Sequence, residues 1–187
     1  MELKEIVKKY QIIGVVSNYQ STLDMSKKIV DLNIKNIDAA LKMVGLTTDF
    51  KDKQLADLTL SELWRVELAT KLHNEIIIIG NLFNSLNHKD LQYIHQLFHK
   101  LSSEYQKQIV IIDNHIEVFM GIVKRIVVIQ DKKVVYETSD FYDAELYKYV
   151  RMPKIIEFIK YVNEDGEKLN QTIDIYELIK DIYRVVS

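Results

Sequence analysis

Residues Gly14 to Thr22 have the length of a phosphate-binding loop, in which a glycine, four further residues and then Gly-Lys-Ser or Gly-Lys-Thr lie between a strand and a helix. Such a loop wraps backbone N–H groups around phosphates, and its lysine neutralises the β- and γ-phosphates. Two positions do not suit this chemistry, because Tyr19 stands at the second glycine and Gln20 at the lysine. The loop alone is therefore only a weak indication of nucleotide binding. The candidate phosphate-contacting residues are Gly14, Ser17, Asn18, Tyr19, Gln20, Ser21 and Thr22.

A second candidate chemistry is metal binding by histidines. His95 and His99 are four residues apart on a predicted helix, and His88 lies seven residues before His95. A metal site needs a third ligand and an outer group that orients each imidazole. Because no cysteine or cluster of carboxylates accompanies these residues, we interpret His95 and His99 as polar positions on a solvated helix face and predict no metal site. The sequence also contains no readable Ser/His/Asp or Cys/His arrangement for nucleophilic catalysis.

The elements that position these residues follow from hydrophobic spacing. Solid runs of mostly β-branched aliphatic residues suit strands that are buried on both faces of a parallel sheet. Such runs are Ile12–Val16, Ile76–Ile79, Ile109–Ile112 and Ile126–Ile129, and Val134–Tyr136 is expected to return as an antiparallel hairpin strand. Helical spacing occurs at Leu23–Leu32, Ile37–Val44, Ser61–Leu72 and Leu91–Leu101. The predicted fold class is α/β, with a mostly parallel sheet flanked by helices.

The last part of the chain has a different composition, since seven of the eleven tyrosines lie at or beyond Tyr136. Pro153 is well placed to start a helix over Ile155–Val162, and a second helix is expected over Ile175–Ile182. No linker rich in Gly, Ser or Pro precedes these helices. We therefore expect a core at 1–140 and a C-terminal helical extension at 141–187 that is docked on the core.

The composition excludes several classes of protein. The chain has 187 residues, a net charge of −2 and no cysteine, so no global basic field attracts nucleic acid or anionic lipid. Met1–Tyr10 lacks the uninterrupted apolar core of a signal peptide, and the longest aliphatic runs are too short to span a bilayer. We expect a cytoplasmic protein without nucleic-acid partners or direct membrane insertion.

Residues Leu58 to Leu72 resemble the signature segment of ABC transporter ATPases, which is Leu-Ser-Gly-Gly-Gln followed by a helix. Leu60 and Ser61 occupy the two glycine positions, and Glu62 occupies the glutamine position. The signature-like residues are Thr59, Leu60, Ser61 and Glu62.

Three further segments resemble the same family and follow in its order. Ile76–Asn87 is similar to the Walker B strand and the D-loop, with Gly80, Asn81, Ser85 and Asn87 at the motif positions. His115 follows the next apolar run, where the family has its switch histidine. Residues 125–135 resemble the final strand and hairpin.

Together with the loop, these segments cover most of Ile12–Tyr136, and the chain is identified by resemblance as a truncated, degenerate ABC transporter ATPase. The two helices that follow Met152-Pro153-Lys154 resemble the C-terminal extension of energy-coupling-factor and cobalt-type importer ATPases. The resemblance implies a P-loop NTPase-like fold with a reduced helical subdomain, because only 35 residues separate Thr22 from Leu58.

The resemblance also implies that most catalytic groups are replaced. Gln20 removes the lysine charge, Gly80 removes the aspartate that helps to hold magnesium, and Asn81 removes the glutamate that polarises the attacking water. Asn87 replaces the D-loop aspartate. Since phosphoryl transfer depends on such groups, we expect a noncatalytic pseudo-ATPase. Weak binding of ATP and magnesium at Gly14–Thr22 remains open, because the helix expected after the loop would offer N–H groups to an anion. The family's residues are kept at Ser21 and His115.

The expected role is structural or regulatory, in a homodimer or beside an active ABC ATPase or a membrane coupling subunit, which would hold the chain at the inner face of the membrane. One alternative is a residual ATP-binding or ATP-hydrolysing subunit that energises an importer, with a cation and a carboxylate supplied by Lys27, Lys28 or Asp113. A second alternative is a free-standing interaction module.

Overall fold

A five-stranded sheet forms the centre of the computed structural model, which describes residues 5, 7, 11–166 and 168–186. The strands are β1 (Ile12–Val16), β2 (Ile76–Gly80), β3 (Gln108–Ile112), β4 (Arg125–Gln130) and β5 (Lys133–Thr138), in the order β2-β3-β1-β4-β5. β1 pairs in parallel with β3 and β4, and β2 pairs in parallel with β3. β5 returns antiparallel to β4. The predicted sheet of parallel strands with one hairpin is therefore confirmed. The sequence interpretation of Met1–Tyr10 concerns residues that lie mostly outside the described part.

The helices of the first part of the chain bury their apolar residues in one large cluster with one face of the sheet. They are α1 (Ile37–Met43), α2 (Leu60–Lys71), α3 (Leu82–Ser85) and α4 (His88–Ser103), which confirms the helices predicted at 37–44, 61–72 and 91–101. Ile77, Ile109 and Ile126 supply this cluster from the strands, and Leu68 and Phe98 supply it from α2 and α4.

The opposite face of the sheet carries a smaller apolar cluster. Ile13, Val110 and Val127 are fully or almost fully buried there, and Val7 packs against them. Ile76 and Ile78 on the edge strand β2 are 42% and 46% exposed. None of the helices α1 to α4 contributes a buried residue to this cluster.

The helix predicted over Leu23–Leu32 is wrong, because this segment is irregular apart from a single 3₁₀ turn at Ile29–Asp31. Its backbone groups have other partners. The Asp24 carboxylate accepts hydrogen bonds from the N–H and the hydroxyl of Ser26, and short polar side chains of this kind compete with helix formation. Lys28 forms an isolated bridge with Gln54, and Ile29 N–H donates to the Lys53 carbonyl. The segment therefore pairs with residues 53–55.

The C-terminal helices are α5 (Lys154–Glu164), which begins after Pro153, and α6 (Ile175–Val186). Ile156 is fully buried in the large cluster, whereas Ile159 and Leu178 form a further cluster between the two helices. The Tyr142 hydroxyl accepts from the Thr172 N–H and donates to the Thr172 carbonyl. No helix within the described residues is long and apolar enough to cross a membrane.

Candidate functional site

The ring of Tyr19 packs against Gly80 at the end of β2. A Cβ built on Gly80 would lie 2.6 Å from the Cβ of Tyr19 and closer still to its Cγ and to the Ile112 carbonyl oxygen. The side-chain amide of Asn81 lies 3.5 Å from the Tyr19 carbonyl oxygen. The loop after β1 therefore contacts Gly80 and Asn81, the two positions where the resemblance places the Walker B carboxylates.

Two charged residues of α2 fix the hydroxyl of Tyr19. This hydroxyl donates to Glu67 and accepts from Lys71. The Lys71 Nζ also bonds the Glu67 carboxylate at 2.8 Å and the Ile78 carbonyl oxygen at 2.9 Å. Glu67 is 4% exposed, so its charge depends on these partners. The loop is therefore anchored by a mostly buried hydrogen-bonded ion pair.

The surroundings of Tyr19 and Glu67 shift the pKa of both side chains. Burial raises the pKa of the Tyr19 phenol, and the hydrogen bond and charge of Glu67 raise it further. Burial also raises the pKa of Glu67, but hydrogen bonds from Lys71 and Tyr19 outweigh it and leave the pKa of this carboxyl below its ordinary value. Glu67 therefore remains ionised and Tyr19 protonated at neutral pH, which is the state that the hydrogen bonds require.

The other loop residues have separate surroundings. Gln20, Ser21 and Thr22 are exposed, and the Ser21 hydroxyl accepts from the Leu23 N–H at 3.3 Å. Asn18 accepts a hydrogen bond from the side chain of Asn114. Ser17 is half-buried, and the Gly14 backbone lies against the ring of Phe119, which a Cβ would approach within 2.7 Å.

No α-helix begins directly after this loop, because residues 23–36 contain only a 3₁₀ turn at Ile29–Asp31, so the feature that favoured weak anion binding is missing. The first helix after Thr22 is α1, which begins at Ile37. The N–H groups and the dipole of a helix N-terminus are what attract a phosphate in a phosphate-binding loop. Neither is provided directly after Gly14–Thr22, so the structure lacks the helix on which the possibility of weak nucleotide binding rested, and binding itself stays a prediction.

The signature-like residues form the N-terminus of α2. Thr59 caps the helix by accepting from the Glu62 N–H at 3.3 Å, and the Glu62 carboxylate accepts from the Thr59 N–H at 2.8 Å. This reciprocal arrangement is a capping box. Leu60 is 63% exposed, while the Ser61 hydroxyl donates to Asp90 at 3.3 Å.

A small cleft of about 230 Å³ brings the three sequence motifs together. Its lining includes Ser21 from the loop, Leu60 from the start of α2, and Gly80, Asn81 and Ser85 from the end of β2 and α3. Trp64 closes the cleft with its indole N–H bonded to the Gly80 carbonyl oxygen at 2.8 Å, and it is 3% exposed. Trp64 is therefore a residue of the core.

The carboxylate of Asp90 on α4 connects Asn87, in the D-loop-like segment, to Arg65 on α2. The Asp90 N–H donates to the side-chain oxygen of Asn87 at 2.9 Å, which caps α4, and one oxygen of the Asp90 carboxylate accepts from the side-chain amide of Asn87 at 2.8 Å. Its other oxygen pairs with Arg65 at 2.6 Å, and Arg65 also donates to the Val44 carbonyl oxygen. Arg65 is 9% exposed.

His115 lies after β3 and is partly exposed. Its Nδ1 is 3.1 Å from the buried carboxylate of Asp113, and its ring stacks on Phe83 with centroids 3.9 Å apart. Asp113 also accepts from the backbone N–H groups of His115 and Phe83. The imidazole is thus held in a fixed orientation at the carboxyl end of the parallel strands.

His95 and His99 on α4 lie in different surroundings. His95 is not on a solvated face, as the sequence interpretation had it, because it is half-buried and its Nε2 bonds the Val118 carbonyl oxygen at 3.1 Å. His99 is exposed. The described residues contain no group of three or more His, Asp or Glu side chains that could hold a metal ion.

Sequence reasoning missed the residues that anchor the loop and the turn, namely Glu67, Lys71 and Asp90. Glu67 and Lys71 are spaced i, i+4 on α2, which is a readable signal for an ion pair. No local pattern indicates that Tyr19 joins this pair from a distance of 48 residues along the chain.

No protein-family model matches this sequence, and no curated protein matches it. Several solved structures are similar to this chain. The dimeric structure of MJ0796, a bacterial ABC transporter cassette, is 21% identical, with a TM-score of 0.54, over 74% of this chain and 68% of that chain. The same cassette in a post-hydrolysis state bound to ADP and Pi is 22% identical, with the same TM-score and coverage.

A further similar structure is that of CbiO1 from Clostridium perfringens, part of the ABC transporter complex CbiONQ. It is 20% identical, with a TM-score of 0.52, over 85% of this chain and 71% of that chain. At these identities the likeness is one of fold. The parallel sheet with its antiparallel hairpin, the order of its strands and these structural neighbours show that the chain has the fold of an ABC transporter ATPase cassette.

Proposed function

We propose that this chain is a noncatalytic ABC ATPase-like subunit with a structural or regulatory role in a protein assembly. The observation that carries the proposal is the Tyr19 ring against Gly80. The ring occupies the space beside the strand end where a metal-binding carboxylate would project, and the loop that would hold phosphates is bound instead to Glu67 and Lys71.

Asp113, which could have replaced a lost carboxylate, has other partners. Asp113 is 4% exposed and accepts from two backbone N–H groups and from His115. The backbone at Lys27 and Lys28 pairs with residues 54 and 55, and both lysines are exposed. This arrangement favours the noncatalytic role over a residual ATPase that energises an importer.

The proposed partner is another protein of the same fold or a membrane coupling subunit. Structural neighbours of this chain include dimeric ABC cassettes, and the edge around the 230 Å³ cleft carries the exposed side chains of Met25 and Leu60. Through such a partner the chain would sit at the inner face of the membrane, with residues 141–187 as an extension docked on the core.

The test of the noncatalytic role is a titration of the full chain with a fluorescent ATP analogue and magnesium, combined with a phosphate-release assay. We expect no saturation below about 1 mM nucleotide, which corresponds to a binding free energy weaker than about 4 kcal/mol, and no release above the buffer rate. A catalytically active ABC cassette serves as the positive control. Micromolar affinity with turnover would overturn the proposal.

Assembly is measured separately by light scattering on a sizing column. A dimer of the chain alone supports pairing with a second copy. A monomer that forms a complex when mixed with an active cassette or a detergent-solubilised coupling subunit supports the other partners, and a monomer that binds neither favours a free-standing module.

A further inference from the structure

A cavity of about 520 Å³ lies between the first part of the chain and the C-terminal helices. Its volume is within the range of about 300–1,000 Å³ that is typical of small-molecule sites. It shares no lining residue with the cleft beside Tyr19. Its apolar walls include Phe83, Leu86, Leu91, Met120, Ile155 and Ile173.

The polar groups of this cavity are Gln92, His95 and Glu117. The Nε2 of His95 lies 3.1 Å from the Val118 carbonyl oxygen, which can only accept, so Nε2 carries the hydrogen and Nδ1 is an acceptor. Burial lowers the pKa of His95, so its imidazole is neutral near pH 7. The carboxylate of Glu117 has no hydrogen bond or ion pair with any residue in the described part of the chain.

These groups select the chemistry of a ligand. A carboxylate and a neutral imidazole acceptor on an apolar wall favour a ligand head that donates hydrogen bonds and carries positive charge, and they disfavour a carboxylate or a phosphate. The negative field extends to a neighbouring phenol, since burial and then nearby charges, Glu117 among them, raise the pKa of Tyr147.

We propose that this cavity binds small apolar molecules that carry one primary ammonium group. The hydrocarbon part would lie against the walls that include Phe83 and Ile173, and the ammonium group would lie beside Glu117. Because Ile155 and Ile173 belong to the C-terminal part and Phe83 and Leu91 to the first part, an occupied cavity would also strengthen the contact between them. Binding here does not depend on whether the chain hydrolyses ATP.

The test uses three ligands with the same phenyl-alkyl skeleton, 4-phenylbutylammonium, 4-phenylbutanol and 4-phenylbutanoate, each titrated into the full chain by calorimetry and by saturation-transfer NMR. For ligands of this size we expect dissociation constants between about 10 μM and 1 mM. The ammonium compound should bind about fivefold more tightly than the alcohol, because Glu117 is partly exposed and its attraction is screened. The carboxylate should bind most weakly.

Three variants separate the cavity from nonspecific binding. Glu117→Gln should remove the preference for the ammonium compound while the alcohol still binds. Glu157→Gln makes the same charge change on an exposed position of α5 and should leave that preference unchanged. Ile173→Trp should fill the cavity and weaken all three ligands at least fivefold, with circular dichroism showing that the variant is folded.

The proposal is overturned if 4-phenylbutylammonium shows no binding at millimolar concentration. It is also overturned if the ammonium compound and the carboxylate bind equally well, or if Glu117→Gln keeps the full preference for the ammonium compound.

Discussion

The aromatic ring of Tyr19 packs directly against the backbone of Gly80, which has no side chain. A side chain at position 80 would occupy the place of the ring, since its Cβ would fall 2.6 Å from the Cβ of Tyr19. The family to which the sequence is similar has a glycine where this chain has Tyr19 and an aspartate where it has Gly80. The two differences are therefore physically coupled, because the large residue in the loop needs the small one in the strand.

Gly80→Ala should lower the free energy of unfolding by about 1–3 kcal/mol, the usual cost of forcing extra volume into a packed site. Combining it with Tyr19→Ala should relieve only part of this cost, because the Ile112 carbonyl oxygen also lies within reach of the new methyl group. Urea unfolding of both single variants and the double variant gives the coupling energy. A Gly80→Ala protein as stable as the parent would contradict the close contact.

The ion pair beneath Tyr19 predicts a loss of stability in acid. The pKa of Glu67 is lowered in the folded chain from an ordinary value of 4.5, because hydrogen bonds from Lys71 and Tyr19 outweigh the effect of burial. A carboxyl with a lowered pKa contributes stability above its unfolded pKa, and this contribution is lost as the pH falls through the folded pKa. We expect the melting temperature to drop below pH 4.5 by more in the parent chain than in Glu67→Gln. Equal slopes in the two proteins would show that Glu67 is not the responsible group.

The hydroxyl of Tyr19 can be tested apart from its ring. Tyr19→Phe keeps the packing on Gly80 but removes the donor to Glu67 and the acceptor for Lys71. The expected loss is about 1–2 kcal/mol, since a partly buried charged group loses a hydrogen bond. Tyr161→Phe, at a position 64% exposed, makes the same chemical change at the surface and should alter stability by less than about 0.5 kcal/mol.

The sheet could be predicted from the sequence because its strands are solid aliphatic runs, and in the central run Ile12–Val16 every residue is buried. The segment Leu23–Leu32 could not, because its apolar spacing suits a helix while Asp24 and Ser26 hold a turn and Lys28 pairs with Gln54. Gln54 is remote in sequence from Lys28, and the Asp24–Ser26 turn depends on a few polar contacts. The spacing of hydrophobic residues carries information about neither kind of interaction.

The candidate site was predictable in its parts but not in its geometry. The motif comparison singled out Tyr19, Gly80 and Asn81 by position, and the structure brings them together at the end of β2. Neither the anchoring by Glu67 nor the turn after Thr22 could be read, because each depends on a contact made across the fold. The sequence indicates which residues stand at the motif positions, and the structure shows that the Tyr19 ring packs on Gly80 there.

Asp90 should be important for stability because it compensates a buried cation. Arg65 is 9% exposed and pairs with Asp90 at 2.6 Å. Asp90→Ala leaves the guanidinium without its carboxylate, and because the Asp90 side chain is 25% exposed we expect a cost of about 1.5–3 kcal/mol, as for the loss of a hydrogen bond to a charged group. The exposed pair of Lys100 and Glu104, at 4.0 Å, provides the control, since Glu104→Gln should cost less than about 1 kcal/mol. Chemical unfolding of both variants tests the difference, and similar losses would contradict it.

The start of α2 offers a direct test of what Glu62 does. Thr59→Ala should lower the free energy of unfolding by about 1 kcal/mol, because the hydroxyl that accepts the Glu62 N–H is lost. Glu62→Gln should be nearly neutral, since glutamine also completes a capping box, whereas Glu62→Ala should cost about as much as Thr59→Ala. The Thr59→Ala, Glu62→Ala double variant should lose less than the sum of the single variants, because each residue bonds the other. Thermal unfolding of the four proteins measures this, and additive losses would mean that Thr59 and Glu62 act separately rather than as one cap.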